Sequence, residues 1–157
     1  MSKILKVSAS FTRPANTTAY TAGDVVSNDA TTTTPMPLTC GDRGVIVGAR
    51  LETNKKSITP QVRINLLVED DGTIAGDNAA HKEVYADVAK RIGYIDLTAM
   101  TTPADTSNSD LSVSQNFAVR IPFVNAGTLP IYAVLTAIDG FTPASGQGFT
   151  LTLLVEV

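Results

Sequence analysis

From Lys6 to Thr12 the chain alternates polar and apolar side chains, with Val7, Ala9 and Phe11 all on one side. Successive side chains of a strand point to opposite faces, so a period of two commits this segment to a half-buried β-strand. The run Arg13, Pro14, Ala15, Asn16 breaks it. A strand that is half buried needs partners in a sheet, and the rest of the chain must supply them.

Residues 45–52 and 61–68 are the segments richest in Val, Ile and Leu. The polar loop 53–60 separates them, and they read as a hairpin of central strands. Residues 20–26 form a short strand behind a Gly23-Asp24 turn or bulge, and residues 94–100, 111–124, 129–138 and 148–157 add further strands. Between these lie the loop 101–110 and turns at 69–72, 125–127, 139–140 and 145–146. Pro122 and Pro130 donate no backbone hydrogen bond and are expected at a strand end, bulge or edge. After Gly76, Val84, Val88 and Ile92 recur every four residues, with Gly93 placed to end a short helix; the alternation of Val84, Ala86 and Val88 leaves an extended segment as the alternative. Residues 30–38, with four threonines and two prolines, read as an extended loop or arm, and residues 1–6 as an N-terminal extension. The expectation is an all-β chain, with residues 1–157 forming a jelly-roll-like antiparallel β-sandwich of about eight strands with one short helix.

Composition narrows function. Of 157 residues, 43% are apolar and 17% charged, which argues against disorder. A net charge of −3, with no basic block beyond Lys55-Lys56 and Lys90-Arg91, gives no surplus to neutralise a phosphate backbone, so direct nucleic-acid binding is not expected. No segment approaches the roughly 18 continuous apolar residues of a membrane span, and the N-terminus lacks a signal-length apolar run; synthesis in the cytosol and retention there until lysis is the expectation. The single Cys40 has no internal disulfide partner, and the Asn16, Thr17, Thr18 sequon lacks a secretory context, so both read as structural.

The chemical candidates are few. His81 is the one histidine, and with Cys40 and scattered carboxylates it lacks metal-ligand spacing, so an exposed loop or helix-start histidine is expected. Glu69, Asp70, Asp71 and Asp77 could offer oxygen ligands to calcium, but their spacing departs from a calcium-binding loop and reads as a solvated turn. Ser145 lacks the Gly-x-Ser-x-Gly elbow, and Gly146 with Gly148 lacks the third glycine of a dinucleotide site. No catalytic residue, metal ligand or cofactor is expected. The absence of Trp weakens a sugar-stacking platform, and Tyr20, Tyr85, Tyr94 and Tyr132 are expected in the core or at an interface.

The run from Phe11 to Tyr20, the Ala22, Gly23, Asp24, Val25, Val26 segment, the middle Ile74, Ala75, Gly76, Asp77, Asn78 and the tail from Phe141 to Gly146 leading into 149–157 resemble small virion proteins of tailed bacteriophages. The resemblance spans most of the chain and is similar to capsid cement, or head-decoration, proteins. It implies a non-enzymatic protein of the virion exterior, made in the bacterial cytoplasm. It also implies the major capsid protein as partner and a homo-oligomer, dimer or trimer. Loop placement and the resemblance nominate Arg13, Tyr20, Thr31, Thr32, Thr33, Thr34, Pro35 and Pro37 as interface residues. The rival expectation is a receptor- or glycan-binding module of a tail fibre or spike.

Overall fold

The computed structural model describes residues 1–70, 74–103, 110–125 and 129–157. Its strands are β1 (Ile4–Thr12), β2 (Val25–Val26), β3 (Met36–Leu38), β4 (Arg43–Thr53), β5 (Val62–Leu67), β6 (Arg91–Asp96), β7 (Ser112–Asn116), β8 (Ile121–Val124), β9 (Ile131–Ala137) and β10 (Gly148–Glu156). One sheet runs β1-β10-β4-β7, with β8 also on β4; the other runs β2-β9-β5-β6, with β3 also on β9. All these pairings are antiparallel.

The pairing follows one rule. The ends of the chain meet first, β1 with β10; then β2 and β3 meet β9, β4 meets β7 and β8, and β5 meets β6. A long antiparallel ribbon rolled on itself gives this order, which is the jelly roll. Taking β2 with β3 and β7 with β8 as single positions recovers the eight expected strands.

Alternation decides what enters the space between the sheets. Val7, Ala9 and Phe11 of β1, Ile46, Ala49 and Leu51 of β4, and Leu151, Leu153 and Val155 of β10 meet Val62, Ile64 and Leu66 of β5 and Ile131, Ala133 and Leu135 of β9 in one core. The outer face of the second sheet is also covered. Ile74 and Ala75, from the excursion between β5 and β6, pack on Val25, Leu67, Tyr132 and Val134 there. Gly76 makes this approach possible, since a Cβ on it would fall on the Ala30 backbone.

Several expectations are corrected. β4 and β5 are not a hairpin: they lie in opposite sheets, because the rolled ribbon seats each against strands far along the chain. The helix is a six-residue 3-10 turn, Tyr85–Lys90, with no buried residue. Gly93 does not end it but lies inside β6, where the register shift against Leu66 and Leu67 makes Ile92 a bulge. Residues 111–124 divide into β7 and β8, which pair successive stretches of β4. Residues 4–6 are strand, not extension, and the ladder continues through Lys3 to Val157. The 30–38 segment is tied down by β3 and by a bridge between Thr32 and Ala75. Pro122 sits in β8, whose pairing is with β4, and Pro130 precedes β9, as expected of prolines. The turn expectations at 71–72 and 126–127 and most of the 101–110 loop fall outside the described residues.

Candidate functional surfaces

Arg13 continues the alternation of β1 one step past its end, in the same parity as Phe11, and its N–H still donates to the Gln147 carbonyl at 3.0 Å. Its side chain is therefore carried inward. There it meets Tyr20, held by a bridge to Phe141 and stacked on that ring at 4.6 Å, and Asp77 from the covering excursion. Arg13 donates from Nη2 to Asp77 Oδ2 at 2.8 Å, from Nη1 to the Ala144 carbonyl at 3.3 Å, and from Nε to the Tyr20 hydroxyl. The Tyr20 hydroxyl donates to Asp77 Oδ1 at 2.5 Å, and the Ser27 N–H donates to the same oxygen at 2.9 Å. The Arg13 and Asp77 side chains are 0% and 1% exposed. Burial, reinforced by the Asp77 carboxylate, holds the Tyr20 phenol far above its ordinary pKa, so it stays a proton donor. The cluster ties loops from four parts of the chain together and is closed to any substrate. Arg13 and Tyr20, nominated for an interface, turn their side chains to the interior.

The threonine segment divides by exposure. Thr33 is buried, donating to the Ala75 carbonyl and within 2.8 Å of the Ser27 hydroxyl, and Pro35 is buried beside it. Thr31, Thr32, Thr34 and Pro37 are exposed. The Thr31 hydroxyl and N–H both donate to Asp29 at 2.7 Å, which holds that carboxyl below its ordinary pKa.

The remaining candidates stay apart. Glu69 and Asp70 are exposed while Asp77 is buried against Arg13, and Asp71 lies outside the described residues. Among the described residues no group of three His, Cys, Asp or Glu is placed to hold a metal ion. His81 is less exposed than expected: it lines a cavity of about 170 Å³ with Lys82, Glu83, Asp87 and Arg91, its Nε2 3.4 Å from Glu83. Ser145 belongs to the turn that Gly146 makes at φ 61° before β10. Cys40 is fully buried, and burial pushes its thiol up to about 11. Because the folded thiol keeps its proton above the pKa of the exposed one, stability falls as pH rises from about 9 through 11, and Tyr20 acts in the same direction. Urea unfolding from pH 8 to 11 is expected to show this decline, and Cys40→Ala to make it shallower.

Among the described residues no strand packs on the outer face of the first sheet, although the Phe117 ring lies over Gly48 there. On the outside of the first sheet the Ser8 and Thr152 hydroxyls lie 2.8 Å apart, as do those of Ser10 and Thr150, and Arg50 pairs with Glu52 at 2.5 Å. At one end an open groove of about 530 Å³ is lined by Ser10, Thr12, Glu52, Asn54, Asp110 and Thr150. Phe11, Leu111 and Phe149 line it too, so the groove sets hydroxyl, amide and carboxylate groups among apolar side chains.

Strand order and core define a jelly-roll β-sandwich. No protein-family model matches the chain, and no curated protein matches it by sequence. Among solved structures it is similar to a chain of the cyanophage Pam1 capsid asymmetric unit, at 14% identity and a TM-score of 0.35 over 99% of this chain and 84% of that one. A chain of the acidic stable capsid of Helicobacter pylori bacteriophage KHP30 gives 13% identity and a TM-score of 0.32 over 100% and 94%. The 60-mer BFDV capsid protein gives 14% and 0.33 over 99% and 93%. Likenesses this distant do not bear on function; the fold is read from the pairing itself. Among the described residues no helix is long and apolar enough to cross a membrane.

Proposed function

We propose that this chain is a non-enzymatic structural protein of a tailed-phage virion, a cement or decoration protein that sits on the capsid exterior and bridges major capsid subunits. The observation that carries the reading is the jelly roll whose buried ionic cluster is closed to solvent while, among the described residues, no strand covers the outer face of the first sheet. Such a body presents a fixed surface instead of a reaction centre. The virion-protein resemblance of the 11–26, 74–78 and 141–157 segments supplies the class of partner. Thr31, Thr32, Thr34 and Pro37 are the exposed contact residues of the nominated segment, with Thr33 and Pro35 anchoring it and Arg13 and Tyr20 bracing the loops below. Many modest contacts repeated by shell symmetry give avidity without turnover.

The second reading, a glycan-binding tail module, is favoured by the open groove, which Ser10, Glu52 and Asn54 line together with the Phe11 and Phe149 rings. Cryo-electron microscopy of purified particles, with copy number from quantitative mass spectrometry, separates the two. Hundreds of copies ordered across capsomer junctions are expected. A few copies at the tail would replace the cement reading with the glycan one, and absence from the particle would overturn both.

A further inference from the structure

The two sheets do not protect their edges equally. β6 is bulged at Ile92, β8 is four residues long and contains Pro122, and β2 and β3 have two and three residues. Bulges, prolines and brevity are how edges resist pairing with another chain. β1 has none of these: it is nine residues long, keeps an unbroken register with β10, and carries Lys6 as its single charge.

Its outward hydrogen-bonding groups follow from the ladder. Lys3 and Val157 exchange both backbone hydrogen bonds, at 3.0 and 2.9 Å, so the odd residues of β1 face β10. Ile4, Lys6, Ser8, Ser10 and Thr12 therefore direct N–H and C=O away from it, and among the described residues none of these groups meets a backbone partner. Leu5, Val7, Ala9 and Phe11 are left half-buried at the same edge.

We propose that β1 is a homodimer seam, in which two copies pair their β1 strands antiparallel about a two-fold axis at Ser8 and join their first sheets into one. The edge is its own complement. In this register Ser8 faces the partner's Ser8, Lys6 faces the partner's Ser10 and Ile4 faces the partner's Thr12, so every outward N–H and C=O is matched. The parity that matches them also sets Val7 beside the partner's Ala9 and Leu5 beside the partner's Phe11, closing the half-buried apolar row. The hydroxyls of Ser8 and Thr152 continue across the seam, and the two Lys6 side chains stand four residues apart, roughly 13 Å, so like charges do not oppose. Placing the seam at β1 goes beyond the homo-oligomer that the virion-protein resemblance implies, and it does not depend on a capsid.

The test uses the purified full chain alone. Light scattering across micromolar concentrations is expected to give twice the 16.5 kDa chain mass. The Ser8 N–H faces away from β10, so Ser8→Pro leaves that ladder intact while removing both central hydrogen bonds of the seam; at least tenfold weaker dimerisation is expected with unchanged circular dichroism. Ser8→Cys is expected to form an intermolecular disulfide on mild oxidation, because facing hydrogen-bonded residues lie about 5.5 Å apart at Cα, whereas Lys6→Cys is not. Cys40, fully buried, does not compete. A monomer at all concentrations, a dimer indifferent to Ser8→Pro, or equal cross-linking at positions 6 and 8 would overturn the proposal.

Discussion

Asp77→Ala is expected to destabilise the protein by about 3–5 kcal/mol, the range for breaking a buried ion pair from one side. The cost comes from what is left behind. Without the carboxylate, the Arg13 guanidinium stays buried with only the weak Ala144 and Asn16 contacts and the Tyr20 hydroxyl, and both Tyr20 O–H and Ser27 N–H lose their acceptor. Removing both charges, as Arg13→Met with Asp77→Leu, is expected to recover part of the loss, because no uncompensated charge then remains in the interior. Urea unfolding of the two single variants and the double variant measures the coupling. A loss below about 1 kcal/mol for Asp77→Ala, the size of an exposed pair, would show that the cluster opens to water. The difference between variant and parent is expected to change little with salt, since buried charges are poorly screened.

Phe149→Ala is expected to cost a similar 3–5 kcal/mol through loss of buried apolar area and the cavity that follows. Phe149 is 1% exposed, stacked on Phe11 at 5.5 Å, and lies on the central strand β10 between β1 and β4. Neighbours on both sides are fixed in ladders, so the site relaxes little. Phe117→Ala is the matched control: that ring is 53% exposed on the outer face over Gly48, and its removal is expected to stay within about 1 kcal/mol. Equal losses at the two positions would show that the core is not the one described.

β1 was legible because alternation is a local property: each residue's neighbour two positions away reports which face it shares. The same parity, carried one residue further, marks Arg13 as inward-pointing, a signal outweighed in the sequence reading by the proline that follows it. Asp77 carried no such mark. It stands among other carboxylates in a polar stretch, and the group that draws it inside is 64 residues away. The four-residue spacing of Val84 and Val88 suggested a buried helical stripe, yet both side chains are about half exposed, because the apolar residues that cover the second sheet are Ile74 and Ala75 instead.

Strand positions, the sandwich class and the outward polar row of β1 were thus written in local side-chain order, since period and turn chemistry act over a few residues. Partnership was not. Residues 45–52 and 61–68 look like neighbours in sequence, but their apolar faces fit any strand of the same period, and it is the rolled ribbon that seats β4 against β10 and β5 against β9. Pairing across 144 residues, such as Ser8 with Thr152, and the meeting of Arg13 with Asp77 depend on which surfaces close the core together, a choice made by packing between segments that no short window of sequence contains.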